Sequence, residues 1–223
     1  MASARRWPST RISSARDSVT IAPDRPRSPR TAPVLIGGFF AAVILLRIAA
    51  AAAGPLIDDE AYYWLWAQRL DWSYLDHPPM IAWLLALTTA VRDSALAIRI
   101  TPLVLGGFTS YTLFLLGREM SGARAGLIAA VLFQIVPVLA GAGLLATPDA
   151  PLLLSWAAAL RSARQALRGQ SRRWLACGAA VGIGLLSKLS MALLPAGLLL
   201  YILLRAPRAL RSWHPYPLSR NWT

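Results

Sequence analysis

The sequence predicts an all-α polytopic membrane protein with about six transmembrane helices. Hydrophobic residues make up 56% of the 223 residues and charged residues only 15%, whereas a soluble chain of this length carries far more charge. Long apolar runs follow one another with short breaks, and no alternating pattern of the kind that barrel strands need is present. Because backbone in lipid must satisfy its own hydrogen bonds, these runs are expected to form helices.

Most of the positive charge lies at the ends of the chain and in short breaks between apolar runs. The net charge is +13, and arginines cluster in the two tails and at 118–124 and 161–173. The positive-inside rule places these segments, and with them the N-terminus, in the cytoplasm. No basic surface with interleaved aromatic residues appears, which argues against a nucleic-acid partner. We predict a disordered basic cytoplasmic tail at 1–32, a membrane module at 33–205 and a second basic cytoplasmic tail at 206–223.

The first predicted span covers 33–55, and its Arg47 is costly in lipid unless it pairs or faces the helix bundle. The apolar segment 80–91 is too short to cross about 30 Å of hydrocarbon. A crossing there would also turn every later basic loop outward, so we interpret it as an interfacial or re-entrant helix. The remaining predicted spans are 94–117, 125–145, 151–167, 174–189 and 191–204.

An acidic and aromatic segment, DDEAYYWLWAQRLDWSYLDHPP, joins the first span to residue 80. It predicts a helix over about 59–70, with Tyr62, Trp66 and Leu70 on one face. Such an amphipathic aromatic helix is typical of the membrane interface, where it contacts lipids. The predicted topology puts this segment on the outer side of the membrane.

The same topology gathers ionisable side chains on the outer side. A solvated, helix-capping role accounts for isolated acids, and Lys188, the only lysine, could be a snorkelling side chain or a cation aimed at an anionic group. Asp76 beside His77 leaves a metal site or a proton relay open, but the spacing matches no zinc pattern. The gathered residues are Asp58, Asp59, Glu60, Asp71, Asp76, His77, Asp93, Asp149 and Lys188.

Four pieces of sequence together resemble the N-terminal half of a family 39 glycosyltransferase of the GT-C fold. They are DDEAYYWLWAQRL, DHPPMIAW, TPDAPLLLSW and GLLSKLSM, within a resemblance that runs over 34–205. This group includes the protein O-mannosyltransferases and the bacterial lipid A aminoarabinose transferases. The resemblance implies transfer of a sugar, with inversion, from a polyprenyl-phosphate donor to a hydroxyl of a lipid or protein acceptor. The reaction is expected at the outer face of the bacterial inner membrane.

The resemblance also assigns roles to residues. Asp59 is similar to the family's general base or acceptor-positioning acid, with Glu60 as its usual companion, so both are expected to be catalytic. Lys188 resembles the lysine near the lipid phosphate. No cofactor is implied with certainty, and a divalent metal stays open as a second partner of the phosphate. The expected substrate-binding residues are Tyr62, Tyr63, Asp76, His77 (where many relatives carry lysine), Asp149 and Lys188.

Two other functions stay open at this point. Because the chain resembles only the N-terminal half of such an enzyme, a truncated or degenerate membrane protein that binds lipid or a partner is the first alternative. A transporter is the second, since ionisable residues near helix breaks also mark transport paths. A transporter predicts internal repeats, and the sequence has none.

Overall fold

The computed structural model describes residues 31–205, so the predicted tail at 206–223 and residues 1–30 of the predicted tail at 1–32 lie outside the described residues. Residues 31 and 32 belong to the first helix, which therefore begins slightly before the predicted boundary. Within 31–205 the chain forms helices and connecting segments without any strand, which confirms the all-α prediction. The helices are α1 (Thr31–Ala53), α2 (Asp58–Ala67), α3 (Met80–Thr89), α4 (Ala95–Ser121), α5 (Ala123–Ile135), α6 (Pro137–Ala142), α7 (Asp149–Leu167), α8 (Arg173–Ser187) and α9 (Leu193–Arg205), with a 3₁₀ turn at Leu189–Ala192.

Two of the described helices are long and apolar enough to cross a membrane. They are Val34–Ala53 within α1 and the whole of α4. Hardly any of α1 and only part of α4 is buried by the rest of the protein, so neither is the core helix of a soluble domain. The apolar helices α3, α5 and α8, and the segment 189–205, are shorter than a full crossing requires. Among the described residues, length and composition therefore support two transmembrane helices, whereas about six were predicted.

The predicted span 125–145 is wrong as a continuous helix. Helix α5 ends at Ile135, Val136 is extended with φ −69° and ψ 119°, and Pro137 begins α6. Proline lacks the backbone N–H that would continue the helix, and its ring pushes the preceding residue out of the helical region.

Two other predicted boundaries differ from the structure. The predicted helix over 59–70 is too long: α2 ends at Ala67, and Leu70 lies outside it, exposed to the surroundings. Helix α8 ends at Ser187, so the predicted span 174–189 is also too long. Lys188 is extended with φ −159° and ψ 137°, and it stands between α8 and the 3₁₀ turn.

Helix α4 is the centre of the bundle, in contact with α1, α3, α5 and α7. It approaches α5 most closely where two glycines face each other. A methyl group built on Gly117 would lie 2.8 Å from the Cα atom of Gly126, so any larger residue would separate the helices. Gly122, with φ +90°, makes the turn between them.

Arg47, in the middle of α1, faces the bundle. Its guanidinium donates to the backbone oxygens of Gly143 at 3.1 Å and Gln134 at 3.4 Å. The Gln134 carbonyl lies at the end of α5, at the break before Pro137, and Gly143 caps the end of α6, so both lie where a helix leaves carbonyls without helical partners. The free carbonyls at these helix ends therefore accept the hydrogen bonds that the partly buried guanidinium needs to donate.

Candidate active site

The connection from α1 to α2 is fixed by a buried ion pair between Glu60 and Arg99. Glu60 is 0% exposed and Arg99 is 4% exposed. Arg99 donates from Nη2 to Oε2 at 2.6 Å and from Nε to Oε1 at 2.9 Å, which is the bidentate geometry that gives arginine its specificity. The remaining donors of Arg99 reach the backbone oxygens of Ala51 at 3.2 Å, Gly54 at 3.0 Å and Pro55 at 2.7 Å. The end of α1 and the beginning of α4 are thereby held together.

The Glu60 carboxylate also binds two backbone amides. Ile57 N–H donates to Oε2 and Ala146 N–H to Oε1, both at 3.2 Å. Burial by itself would raise the pKa of Glu60, but the hydrogen bonds from Arg99 and the two amides outweigh it and leave the pKa below its ordinary value. Glu60 is therefore ionised and inaccessible, with both oxygens occupied. This geometry differs from that expected of an acid that meets a substrate, and the predicted catalytic role of Glu60 finds no support in it.

Asp59, the neighbour of Glu60, is exposed in the first turn of α2. One turn further on, the ring of Tyr63 is buried. Burial raises the pKa of Tyr63 to about 12, and the negative charges of Asp59, Asp149 and Asp76 add to the effect. Three carboxylates from three separate segments thus lie close enough to one phenol to act on it electrostatically.

The loop after α2 is ordered by Tyr74. Its ring stacks on Trp66 with centroids 4.4 Å apart, and its hydroxyl can donate its single hydrogen to the backbone oxygen of Trp66, at 3.1 Å, or of Arg69, at 3.0 Å. The same hydroxyl accepts the Asp71 N–H at 3.0 Å. The Tyr74 N–H donates to the His77 backbone oxygen at 3.2 Å, so the loop turns back towards α2.

This turn places Asp76 and His77 beside the tyrosines of α2. Tyr62 Oη donates to Asp76 Oδ2 at 2.9 Å, and this hydrogen bond raises the pKa of Tyr62. The His77 ring centroid lies 6.0 Å from that of Tyr63. Tyr62 is exposed and Tyr63 is buried, so only Tyr62 is directly available to a ligand.

Asp149 and Lys188 form an ion pair with each other. Lys188 Nζ lies 2.8 Å from Asp149 Oδ1, and the two side chains are 35% and 44% exposed, respectively. Asp149 begins α7, where the helix dipole favours a negative charge. Because lysine has three donor hydrogens, the pair leaves Lys188 able to bind a second acceptor.

Arg99 is the main feature that sequence reasoning missed. It lies in an apolar span, as Arg47 does, and an ionisable residue there signals a buried partner by the same rule. Among the acids gathered by the predicted topology, Asp93 has a local role as well, because Trp64 Nε1 donates to its Oδ1 at 2.9 Å. In the described part of the chain, no three His, Cys, Asp or Glu side chains converge closely enough to hold a metal ion.

Apolar helices that need lipid on their outer faces, with exposed ionisable groups gathered at one end, define a membrane protein with a candidate site at its surface. The sequence model of the dolichyl-phosphate-mannose-protein mannosyltransferase family matches residues 76–219, more than half of the chain. The chain belongs to this family, which confirms the predicted resemblance to the family 39 glycosyltransferases. Asp76, His77, Asp149 and Lys188 lie within the match, and Asp59 precedes it.

A short segment is also similar to a characterised enzyme. Over 36 residues the chain is 50% identical to the lipid A galacturonosyltransferase RgtD of Rhizobium johnstonii. The aligned segment covers 16% of this chain and 8% of that relative. No solved structure matches the chain.

Proposed function

We propose that this protein transfers a sugar from a polyprenyl-phosphate donor to an acceptor hydroxyl, at the end of the bundle where α2, α7 and Lys188 meet. The observation that carries the proposal is the partly exposed ion pair of Lys188 with Asp149, 2.8 Å apart, at the same end of the bundle as Asp76, which Tyr62 holds at 2.9 Å. A carboxylate base and a cation close together are the two groups that the reaction needs.

In the proposed reaction, Asp59 is the general base. Its carboxylate is exposed and has no hydrogen-bond partner among the described residues, so it is available to accept the proton of an acceptor hydroxyl. The hydroxyl oxygen forms a bond to the anomeric carbon as the bond from that carbon to the phosphate oxygen breaks. The reaction proceeds with inversion through an oxocarbenium-like state, and the phosphate leaves on its lipid.

Lys188 is proposed to stabilise the departing phosphate. Its bond to Asp149 holds the ammonium in place, and its remaining donors are free to bind phosphate oxygens. Asp76, fixed by Tyr62, and the neighbouring His77 are proposed to contact the sugar or the phosphate. Glu60 and Arg99 then serve as positioning residues, because they hold α2 in the orientation that presents Asp59.

The proposal places the protein in the bacterial inner membrane with about six spans and a cytoplasmic N-terminus. The two ends of the bundle support this orientation, because they differ in charge. The carboxylate cluster lies at one end, whereas the ends of α4 and α7 carry Arg118, Arg161 and Arg168. The positive-inside rule assigns the arginine-rich end to the cytoplasm and the carboxylates to the outer face. The acceptor is then a lipid or a protein that is reached from that face.

The test is an Asp59→Asn substitution in the protein as it is encoded, purified and reconstituted in liposomes. A panel of polyprenyl-phosphate-linked hexoses and uronic acids, with an envelope lipid extract as acceptor, would be followed by mass spectrometry of the products. We expect turnover to fall by about 10²–10⁴-fold, the usual contribution of a general base.

Asp58→Asn is the matched control, because Asp58 is also exposed in the first turn of α2 but is not among the charges that act on Tyr63. It should keep wild-type turnover. Wild-type turnover by Asp59→Asn would remove Asp59 from the base role. An absence of any transfer by the wild-type protein, with every donor in the panel, would count against the function itself.

A further inference from the structure

The turns from α4 to α5 and from α7 to α8 lie at the same end of the bundle. Arg164, in the last turn of α7, binds Glu119, in the last turn of α4. From residue 94 to residue 223 the sequence has only two acids, Glu119 and Asp149, and Asp149 stands at the other end of α7. The positive charge of the two turns therefore has almost no counter-charge in this part of the chain. The exposed arginines of the turns are Arg118, Arg124, Arg168, Arg172 and Arg173.

Glu119 binds three side chains of α7 but neutralises only one of the two arginines among them. Arg161 Nε donates to Glu119 Oε1 at 2.8 Å, and Gln165 Nε2 donates to the same oxygen at 3.0 Å. Arg164 reaches only the backbone oxygen of Glu119, through Nη2. Arg161 therefore has a carboxylate as its counter-charge, whereas Arg164 has a neutral carbonyl.

Arg164 is a partly buried cation that lacks an anion. Its Nε atom is buried without a hydrogen-bond partner, and among the described residues only Nη2 of its guanidinium makes a side-chain hydrogen bond. Removing a guanidinium from water costs free energy unless an anion and further acceptors face it. An anion from outside the chain would supply both.

Arg168 continues the same face of α7 towards the turn. Positions 161, 164 and 168 are three and four residues apart, which places their side chains on one side of a helix. Arg168 is exposed, and within residues 31–205 no acid pairs with it. Arg164 and Arg168 thus offer two guanidinium groups, one turn apart, and the planar fork of a guanidinium matches the oxygens of a phosphate.

The level of these arginines in the membrane identifies the source of the phosphate. Helix α4 is about 40 Å long at the rise of an α-helix, roughly 10 Å more than the hydrocarbon layer, so its last turn reaches the lipid headgroups. Arg164 shares that level because it binds Glu119. Met120, next to Glu119, and Leu160, next to Arg161, are exposed apolar side chains that can pack against acyl chains. A phospholipid offers both a phosphate and acyl chains, whereas a soluble phosphate offers only the first.

We propose that Arg164 and Arg168 bind the phosphate of an anionic phospholipid at this end of the bundle. Arg161, held by Glu119, adds positive charge beside them. The exposed arginines of the two turns favour a headgroup with net negative charge and repel the cation of a zwitterionic headgroup. The site lies at the opposite end of α7 from Asp149, so it is separate from the candidate active site and independent of the proposed transfer reaction.

The test is the binding of dioleoyl phosphatidylglycerol and dioleoyl phosphatidylcholine to the full chain, measured by native mass spectrometry from detergent. The two lipids have the same acyl chains, so a difference in affinity reports on the headgroup. We expect the wild type to prefer phosphatidylglycerol by about 20- to 30-fold, because each arginine near an anionic headgroup contributes about fivefold. Arg164→Gln and Arg168→Gln should each lower this preference by about fivefold.

Arg124→Gln is the matched control, because it removes the same charge from an exposed arginine at this end of the bundle, in the first turn of α5. It should keep the wild-type preference. Since Arg168 is exposed and has no acidic partner in the described part of the chain, Arg168→Gln preserves the test if Arg164→Gln loosens the contact between α4 and α7.

Three outcomes would overturn the inference. An unchanged preference in Arg168→Gln would remove the site from this face of α7. An equal loss in Arg168→Gln and Arg124→Gln would show that binding follows overall charge. Displacement of phosphatidylglycerol by equimolar glycerol 3-phosphate or poly-glutamate would show that a soluble phosphate or an acidic protein surface binds there without a lipid.

Discussion

Replacing Glu60 with glutamine should destabilise the protein far more than the same replacement at Glu119. Glu60 is fully buried and binds Arg99 at 2.6 Å, so the neutral amide would leave a buried guanidinium without its counter-charge. Breaking a buried pair in this way costs about 3–5 kcal/mol. Arg99 would keep three backbone acceptors, from Ala51, Gly54 and Pro55, so we expect the lower end of that range, about 3 kcal/mol.

Glu119 is the matched control because its ion pair is of the same type but less buried. It lies 2.7 Å from Arg161, and the side chains of Arg161 and Glu119 are 28% and 25% exposed. A pair that is partly open to solvent is worth about 1 kcal/mol or less. Comparing the two variants therefore separates the effect of burial on stability from the effect of simply having an ion pair.

The assay is thermal unfolding in nanodiscs, followed by tryptophan fluorescence. For a chain of this size, 1 kcal/mol shifts the melting temperature by about 2–4 °C, so Glu60→Gln should lower it by about 6–12 °C and Glu119→Gln by about 4 °C or less. Equal shifts in the two variants would refute the reasoning.

The pH dependence of unfolding supplies an independent check on Glu60. Its pKa is lower in the folded protein than its ordinary value of 4.5. Its contribution to stability is therefore fully present above that value and is lost as the pH falls through the lowered pKa. We expect the wild type to lose stability in this acid range, and Glu60→Gln to lose less.

Three further substitutions test other parts of the structure. Tyr62→Phe removes the hydrogen bond to the exposed Asp76 and should reduce turnover by about two- to fivefold, as loss of a solvent-accessible hydrogen bond does. Lys188→Met should weaken donor phosphate binding by about 10- to 100-fold, as loss of a charge-assisted hydrogen bond does, measured as KM for the donor. Gly126→Ala should destabilise by about 1–3 kcal/mol through overpacking against α4, whereas Gly107→Ala should be neutral.

Each of these has an outcome that contradicts it. An unchanged KM for the donor in Lys188→Met would separate the lysine from the phosphate, and Lys188→Arg, which keeps the charge, should recover part of the binding. If Tyr62→Phe kept wild-type turnover, the hydrogen bond from Tyr62 to Asp76 would not contribute to the reaction. Equal melting temperatures for Gly126→Ala and Gly107→Ala would show that α4 and α5 can move apart at Gly126 without a loss of stability.

The sequence predicted most of the helices because apolar runs bounded by charge and proline translate directly into helical segments. The break at Val136 was missed although Pro137 stands in the sequence. A proline inside an apolar run can also kink a continuous membrane helix, so the residue types alone did not separate a kink from a break. In the structure the helix is broken, and Arg47 binds the Gln134 carbonyl at the end of α5 and the Gly143 carbonyl at the end of α6.

The candidate site was predictable in its chemistry and less so in its connections. The predicted topology placed Asp59, Asp76 and Asp149 on one side of the membrane. In the structure the negative charges of all three contribute to the raised pKa of Tyr63. Their roles in catalysis stay predictions. The partner of Glu60 was beyond sequence reasoning, because Arg99 lies 39 positions away and periodicity carries no information about which distant side chains pair.

Arg47 has a consequence for how the protein is made. An arginine near the centre of a span opposes insertion by about 2.5–3.5 kcal/mol, and its two backbone acceptors, Gln134 and Gly143, emerge from the ribosome 87 and 96 residues later. At synthesis rates of about 5–20 residues per second, α1 waits roughly 4–20 s in the bilayer with an unsatisfied charge. During that interval the nascent chain depends on water, lipid headgroups or an insertion factor to shelter the guanidinium. Helix α1 thus enters the membrane first, but its arginine gains its hydrogen-bond partners only when α5 and α6 have been synthesised.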